Sequence, residues 1–196
     1  MNNINDLCKL QPTDLDAGQV FSGKPSGTTV RGFAVPSAYT PAIDHEYIFH
    51  ESSRDVVVWF LNPQEPLYVF GPTGCGKTTC IKQLAARLNY PVFEVTGHGR
   101  LEFADLVGHL TVKDSNMAFE YGPLALAMRY GALLLLNEID LTSPEIAAGL
   151  NSVLDGSPLC LAENGGELIV PHPMFRLVAT ANTNGAVSYT HLRAHE

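Results

Sequence analysis

Long apolar runs are missing from this 196-residue sequence. The longest, Val56–Leu61 and Ala132–Leu136, fall far short of the ~20 residues that span a bilayer. Met1–Val20 carries Asp6, Asp14 and Asp16 and no apolar stretch of the kind that directs export. Positive charge is scarce too: 12 Lys and Arg against 20 Asp and Glu give a net charge of −8, which argues against a protein built to grip nucleic-acid backbones. Cys8, Cys75, Cys80 and Cys160 show neither C-x-x-C pairing nor zinc-site spacing, so they are expected to be free thiols. The seven histidines are scattered, with no two on one helical face beside a third ligand, and predict no metal centre of their own. What remains is a cytoplasmic globular chain with no membrane segment, and 45% hydrophobic residues are ample for its core.

Residues 1–40 are rich in Gly, Pro, Ser and Thr, most densely at Ser22–Thr29, and lack sustained periodicity, which predicts a linker or extended arm. Ser52 or Ser53 would then cap a short helix carrying Val56, Val57, Phe60 and Leu61 and ended by Asn62-Pro63. From Leu67 onward, short apolar runs alternate with helical patterns. Leu67–Phe70 reads as a buried strand, and Ile81, Leu84, Ala85 and Leu88 line one face of a helix. Pro91–Val95, Ala132–Leu136 and Phe175–Thr180 read as three further strands. This alternation predicts an α/β fold with a parallel sheet covered on both faces. Two hairpins interrupt it, one at Gly108–Val112 and Met117–Tyr121 ahead of a helix started by Pro123, the other at Leu159–Ala162 and Leu168–Val170 around Asn164-Gly165-Gly166. The last ten residues, 187–196, do not continue the pattern and resemble translated adapter sequence, so they are expected to be a non-native tail.

Gly71-Pro72-Thr73-Gly74-Cys75-Gly76-Lys77-Thr78 fits G-x-x-x-x-G-K-[ST] in full, and Thr79 follows it at the start of a predicted helix. Glycines at these positions let successive backbone N–H groups turn toward phosphate oxygens, with the positive end of the helix behind them. Lys77 would neutralise the β- and γ-phosphates of a nucleotide, and the Thr78 hydroxyl would ligate Mg²⁺. Cys75 lies inside this loop and is assigned no chemical role.

Leu133–Leu136 is an apolar strand that ends in Asn137-Glu138, the Walker B pattern with asparagine where an aspartate would hold the metal. Asn137 can offer an amide oxygen but no charge, while Glu138 is the natural general base for the attacking water. Asp140 would either compensate for Asn137 or cap the turn into the next helix. Sixty-one residues separate Lys77 from Glu138 and 44 separate Glu138 from Asn182, a spacing unlike that of small nucleotide kinases. Asn182, at the tip of the Phe175–Ala181 strand, could sit between γ-phosphate and water as a sensor.

Together these residues resemble the AAA+ ATPases, and within them the MoxR and dynein-related branch, over about Pro41 to Gly185. Asn137–Glu145 looks like that branch's strand-end acid pair and the loop into a Pro-started helix, and the two hairpins match its insertions in position. The stretches Ala85–Pro91, Leu106–Gly108, His172–Leu177 and Ala179–Thr183 are similar to an ATPase subunit of the cobaltochelatase type. The resemblance implies a three-layer αβα P-loop core over 41–186, ATP and Mg²⁺ as cofactors, and ATP hydrolysis. It also implies a homo-oligomeric ring, commonly a hexamer, that remodels a client protein or drives metal chelation. Members of the branch carry an arginine finger, a last core strand and a helical lid after the sensor segment, so a chain ending near Ala186 is expected to lack them and to be weak on its own. The alternative is a nucleotide-gated scaffold with little turnover, motivated by Asn137.

Overall fold

The computed structural model describes residues 4–62, 65–113 and 115–182. The described residues open with a helical turn at Ile4–Lys9, followed by strand β1 (Pro12–Asp16), helix α1 (Ala17–Ser22) and strand β2 (Thr29–Phe33), with β1 and β2 paired antiparallel. This departs from the expected linker. Asp16 organises the segment: its carboxylate accepts from Gln19 N at 2.8 Å as the α1 cap and from Gly27 N at 2.7 Å across the turn. Val30 and Phe33 are buried against the same core as Ile81 and Leu84, so apolar burial outweighs the loop-like composition around them.

Helix α2 (Arg54–Leu61) follows, with Ser53 at its N-cap and Asn62 at its C-cap, and then strand β3 (Leu67–Phe70) and helix α3 (Lys77–Arg87). Strand β4 (Val92–Thr96), the short helix α4 (Phe103–Val107), the hairpin β5 (Gly108–Lys113) and β6 (Asn116–Tyr121), and helix α5 (Pro123–Tyr130) come next. Strand β7 (Leu133–Asn137), helix α6 (Pro144–Leu154), the hairpin β8 (Leu159–Leu161) and β9 (Glu167–Ile169), and strand β10 (Arg176–Ala181) complete the described chain. Pro123 and Pro144 open α5 and α6, where the missing N–H costs nothing. The expected non-native tail, 187–196, lies outside the described residues.

The central sheet has the order β3-β10-β7-β4, every pairing parallel. Strand β7 runs through its middle, and all five of its residues are buried. Because successive side chains point to opposite faces, Leu133 and Leu135 meet Ile81 and Leu84 of α3, while Leu134 and Leu136 meet α5 and α6 through Leu124, Met128, Ile146 and Leu150. That is the two-sided burial a parallel sheet requires. Strand β3 differs from the buried strand expected: among the described residues it pairs only with β10, and Tyr68 and Phe70 stand 40% and 58% exposed on its outer side.

A polar clamp joins the two hairpins. The Arg129 guanidinium lies 4.2 Å from the Tyr121 ring centroid and pairs with Glu167. The Glu167 carboxylate also accepts from the Tyr121 hydroxyl at 2.8 Å and from Asn164 Nδ2 at 2.7 Å. The Tyr121 hydroxyl chiefly, with Asn164 and Arg129, holds the Glu167 carboxyl below its ordinary 4.5. A lowered carboxyl stabilises above its unfolded pKa and loses that contribution as pH falls through the folded one. The clamp is therefore expected to be intact at neutral pH and to open in acid. Glu167→Ala should raise backbone hydrogen exchange in β5 and β6 at pH 7, and wild-type protein should show the same rise only below pH 4.5.

Candidate phosphate and cation site

The carboxyl ends of β3, β10, β7 and β4 meet along one edge of the sheet, where open α/β sheets form their ligand crevice. After β3 the chain enters the glycine loop, still tied to the sheet by Gly71 N donating to Ala181 O at 3.3 Å. Gly74 and Gly76 adopt φ of +80° and +86°, a left-handed backbone that L side chains resist. Gly76 is the N-cap of α3, so the loop delivers the chain directly into an 11-residue helix whose first N–H groups have no intrahelical acceptor. This geometry suits an anion.

The Lys77 ammonium is folded back over the loop. It donates to Gly71 O at 2.7 Å, Pro72 O at 2.9 Å and Asn182 Oδ1 at 3.1 Å, which occupies its three protons. Asn182 in turn donates from Nδ2 to Glu138 Oε1 at 3.1 Å. A single amide therefore bridges the loop lysine and the strand-end glutamate. Asp140 Oδ2 accepts from the Asn182 backbone N–H at 3.2 Å and anchors the end of β10. Its carboxylate also faces β3, where burial first and Asp140 second raise the Tyr68 phenol.

One turn along α3, the Thr78 hydroxyl donates to Asn137 Oδ1 at 2.8 Å, and Thr180 donates to the same oxygen at 3.1 Å. Asn137 Nδ2 donates to Glu94 Oε1 at 2.7 Å. The Thr78 and Asn137 oxygens form a hard, neutral donor pair at the helix start, which fits Mg²⁺ with part of its water shell retained. Thr79 follows Thr78 within α3 and makes no such contact among the described residues.

Glu138 occupies the left-handed region, φ +54° and ψ +43°, at a cost of about 1–2 kcal/mol for a non-glycine residue. Its neighbours enforce this. Glu138 N donates to Thr180 Oγ1 at 3.3 Å, Gly97 N donates to Asn137 O at 2.6 Å, and a Cβ on Gly97 would lie 2.4 Å from Glu138 O. Gly97→Ala should therefore push the β7 end away, lowering stability by about 1–3 kcal/mol in a thermal melt and displacing Glu138. Sequence reasoning missed Gly97, Thr180 and Glu94. The available signs were a polar residue inside each of two apolar strands and a glycine closing the second.

The profile of the AAA domain (dynein-related subfamily) matches residues 66–193. The chain belongs to this family. It is a AAA+ protein of MoxR type, as its similarity to curated proteins also indicates. It is 32% identical to the aerobic cobaltochelatase subunit CobS of Sinorhizobium sp, over 92% of this chain and 55% of that protein. It is 36% identical to protein NorQ of Paracoccus denitrificans, over 60% of this chain and 43% of that one. Against the gas vesicle ATPase GvpN of Ancylobacter aquaticus the identity is 32%, over 85% of this chain and 55% of that protein. The chain thus spans about half the length of these relatives. A crystal structure from Cytophaga hutchinsonii shares the fold with a TM-score of 0.50 at 17% identity, covering 62% of this chain and 35% of that one. The family binds nucleotide, typically with Mg²⁺, and generally assembles into rings. Among the described residues no helix is long and apolar enough to cross a membrane, and no cluster of three or more His, Cys, Asp or Glu forms a metal centre.

Proposed function

We propose that this AAA+ core binds ATP at the Gly71–Thr79 loop and hydrolyses it with Glu138 as general base. Backbone N–H groups of Thr73–Thr78 receive the phosphate oxygens, and Lys77 exchanges its carbonyl partners for the β- and γ-phosphates. Thr78 and Asn137 face the cation. Mg²⁺, when bound, neutralises charge across the β- and γ-phosphates. Glu138 orients and deprotonates the attacking water, and Asn182 reports the γ-phosphate because it touches both Lys77 and Glu138. That bridge is the observation carrying the reading: filling the loop must compete for Lys77, which changes what Asn182 holds at Glu138.

The complete protein is then a cytoplasmic ring, of six subunits as is common in the branch, in which ATP turnover works on a partner protein or on metal chelation. CobS is a cobaltochelatase subunit and GvpN a gas vesicle ATPase by name, and a partner-directed motor is the role they suggest here. The charge of −8 disfavours a nucleic-acid client.

A second reading, a nucleotide-gated scaffold with little turnover, is favoured by the uncharged Asn137. Phosphate release by the complete protein separates the two. Mg²⁺-dependent multiple turnover supports the motor, and tight ATP binding with release no faster than solution hydrolysis supports the scaffold.

A further inference from the structure

Asn137 contributes no charge where the strand-end residue faces the cation, but a carboxylate stands directly behind it. Strands β4 and β7 are parallel with Thr96 opposite Asn137 and Glu94 opposite Leu135, so Glu94 lies two residues back on the face that Asn137 shares. On α3, Thr78 and Lys82 are one turn apart and face the same pair. Thr78 meets Asn137 at 2.8 Å, Lys82 Nζ meets Glu94 Oε2 at 2.8 Å, and Glu94 Oε1 closes the square on Asn137 Nδ2 at 2.7 Å.

We infer that Glu94 is a positioning residue that supplies, through the Asn137 amide, the negative charge of the cation subsite. A carboxylate only accepts, so it compels Asn137 to turn Nδ2 toward it and Oδ1 toward Thr78. The charge-assisted bond polarises the amide and raises the electron density on that oxygen. The acid has moved one strand over, and an aspartate at 137 would set two carboxylates face to face. Lys82, in a solvent-accessible pair with Glu94, offsets part of its charge, while the bond to Asn137 Nδ2 keeps Glu94 in position. The inference rests on the reading above that Thr78 and Asn137 face the Mg²⁺ of a bound nucleotide.

The test is equilibrium binding of a fluorescent ATP analogue to the complete protein, titrated with Mg²⁺ and repeated in EDTA. Glu94→Gln should raise the Mg²⁺ concentration at half-effect about tenfold, within the range that partners behind a metal ligand carry, while leaving affinity in EDTA as it was. Glu94→Gln combined with Asn137→Asp should return the Mg²⁺ response toward wild type, because the acid then stands at 137 itself. A merely structural role for Glu94 would not produce that reversal.

The inference is overturned if Glu94→Gln leaves the Mg²⁺ response unchanged or if the double variant is no better than Glu94→Gln. If Glu94→Gln does not fold, Lys82→Gln decides: a lower Mg²⁺ requirement supports the inference, and an equal or higher one overturns it. Absence of analogue binding to wild-type protein in either buffer would instead remove the nucleotide reading itself.

Discussion

Lys77→Ala is expected to reduce nucleotide affinity at least about 100-fold, measured by titrating a fluorescent ATP analogue into the complete protein. The ammonium is the only side-chain cation bonded to the glycine loop among the described residues, and it already lies against Gly71 O, Pro72 O and Asn182 Oδ1. Two hydrogen bonds to charged phosphate oxygens contribute about 1.5–3 kcal/mol each, and even the lower sum corresponds to two decades in Kd. The fold should survive. Of the bonds lost, the one to Pro72 O is exposed and the one to Gly71 O only half-buried, so water can replace the ammonium there and the melting temperature without nucleotide should stay within a few degrees of wild type. Unaltered affinity would remove the phosphate role of the loop.

Glu138→Gln is expected to leave ATP binding within a few-fold of wild type and to slow phosphate release by about 10²–10⁴, the range that positioned general bases supply. Glutamine keeps the shape and the acceptor oxygen that Asn182 Nδ2 uses at 3.1 Å, so the bridge to Lys77 persists while the base is lost. The left-handed backbone at Glu138 belongs to the same argument. A position strained by about 1–2 kcal/mol and locked by Gly97, Thr180 and the β7 end aims one carboxylate, and the substitution leaves that aim unchanged. Single-turnover release at the wild-type rate would exclude Glu138 as the base.

The parts of this site legible in the sequence are those whose meaning is local. A strand, a glycine loop ending in Gly76-Lys77-Thr78 and a helix are contiguous, and so are Leu133–Leu136 and the polar pair closing them. Asn164-Gly165-Gly166 likewise marks the turn of a hairpin through backbone preferences alone. The parts that escaped depend on register between distant segments. Glu94 matters because β4 lies beside β7, and Thr180 because β10 lies on the other side, yet neither adjacency is written in residues 90–96 or 175–181. The edge position of β3, with Phe70 exposed, is likewise a property of strand order. The first forty residues misled for a related reason. Their turn-rich composition is real, but Asp16 ties Gln19 to Gly27, and Phe33 N donates to Leu88 O at 2.9 Å, a contact made only once α3 exists.

The most direct test of the account is a structure of the complete protein with Mg²⁺ and a slowly hydrolysed ATP analogue. The account predicts phosphates seated against the N–H groups of residues 73–78, Lys77 Nζ moved from Gly71 O and Pro72 O onto the β- and γ-phosphates, and the cation beside Thr78 and Asn137. Nucleotide bound elsewhere, with Lys77 still on its own loop carbonyls, would contradict it.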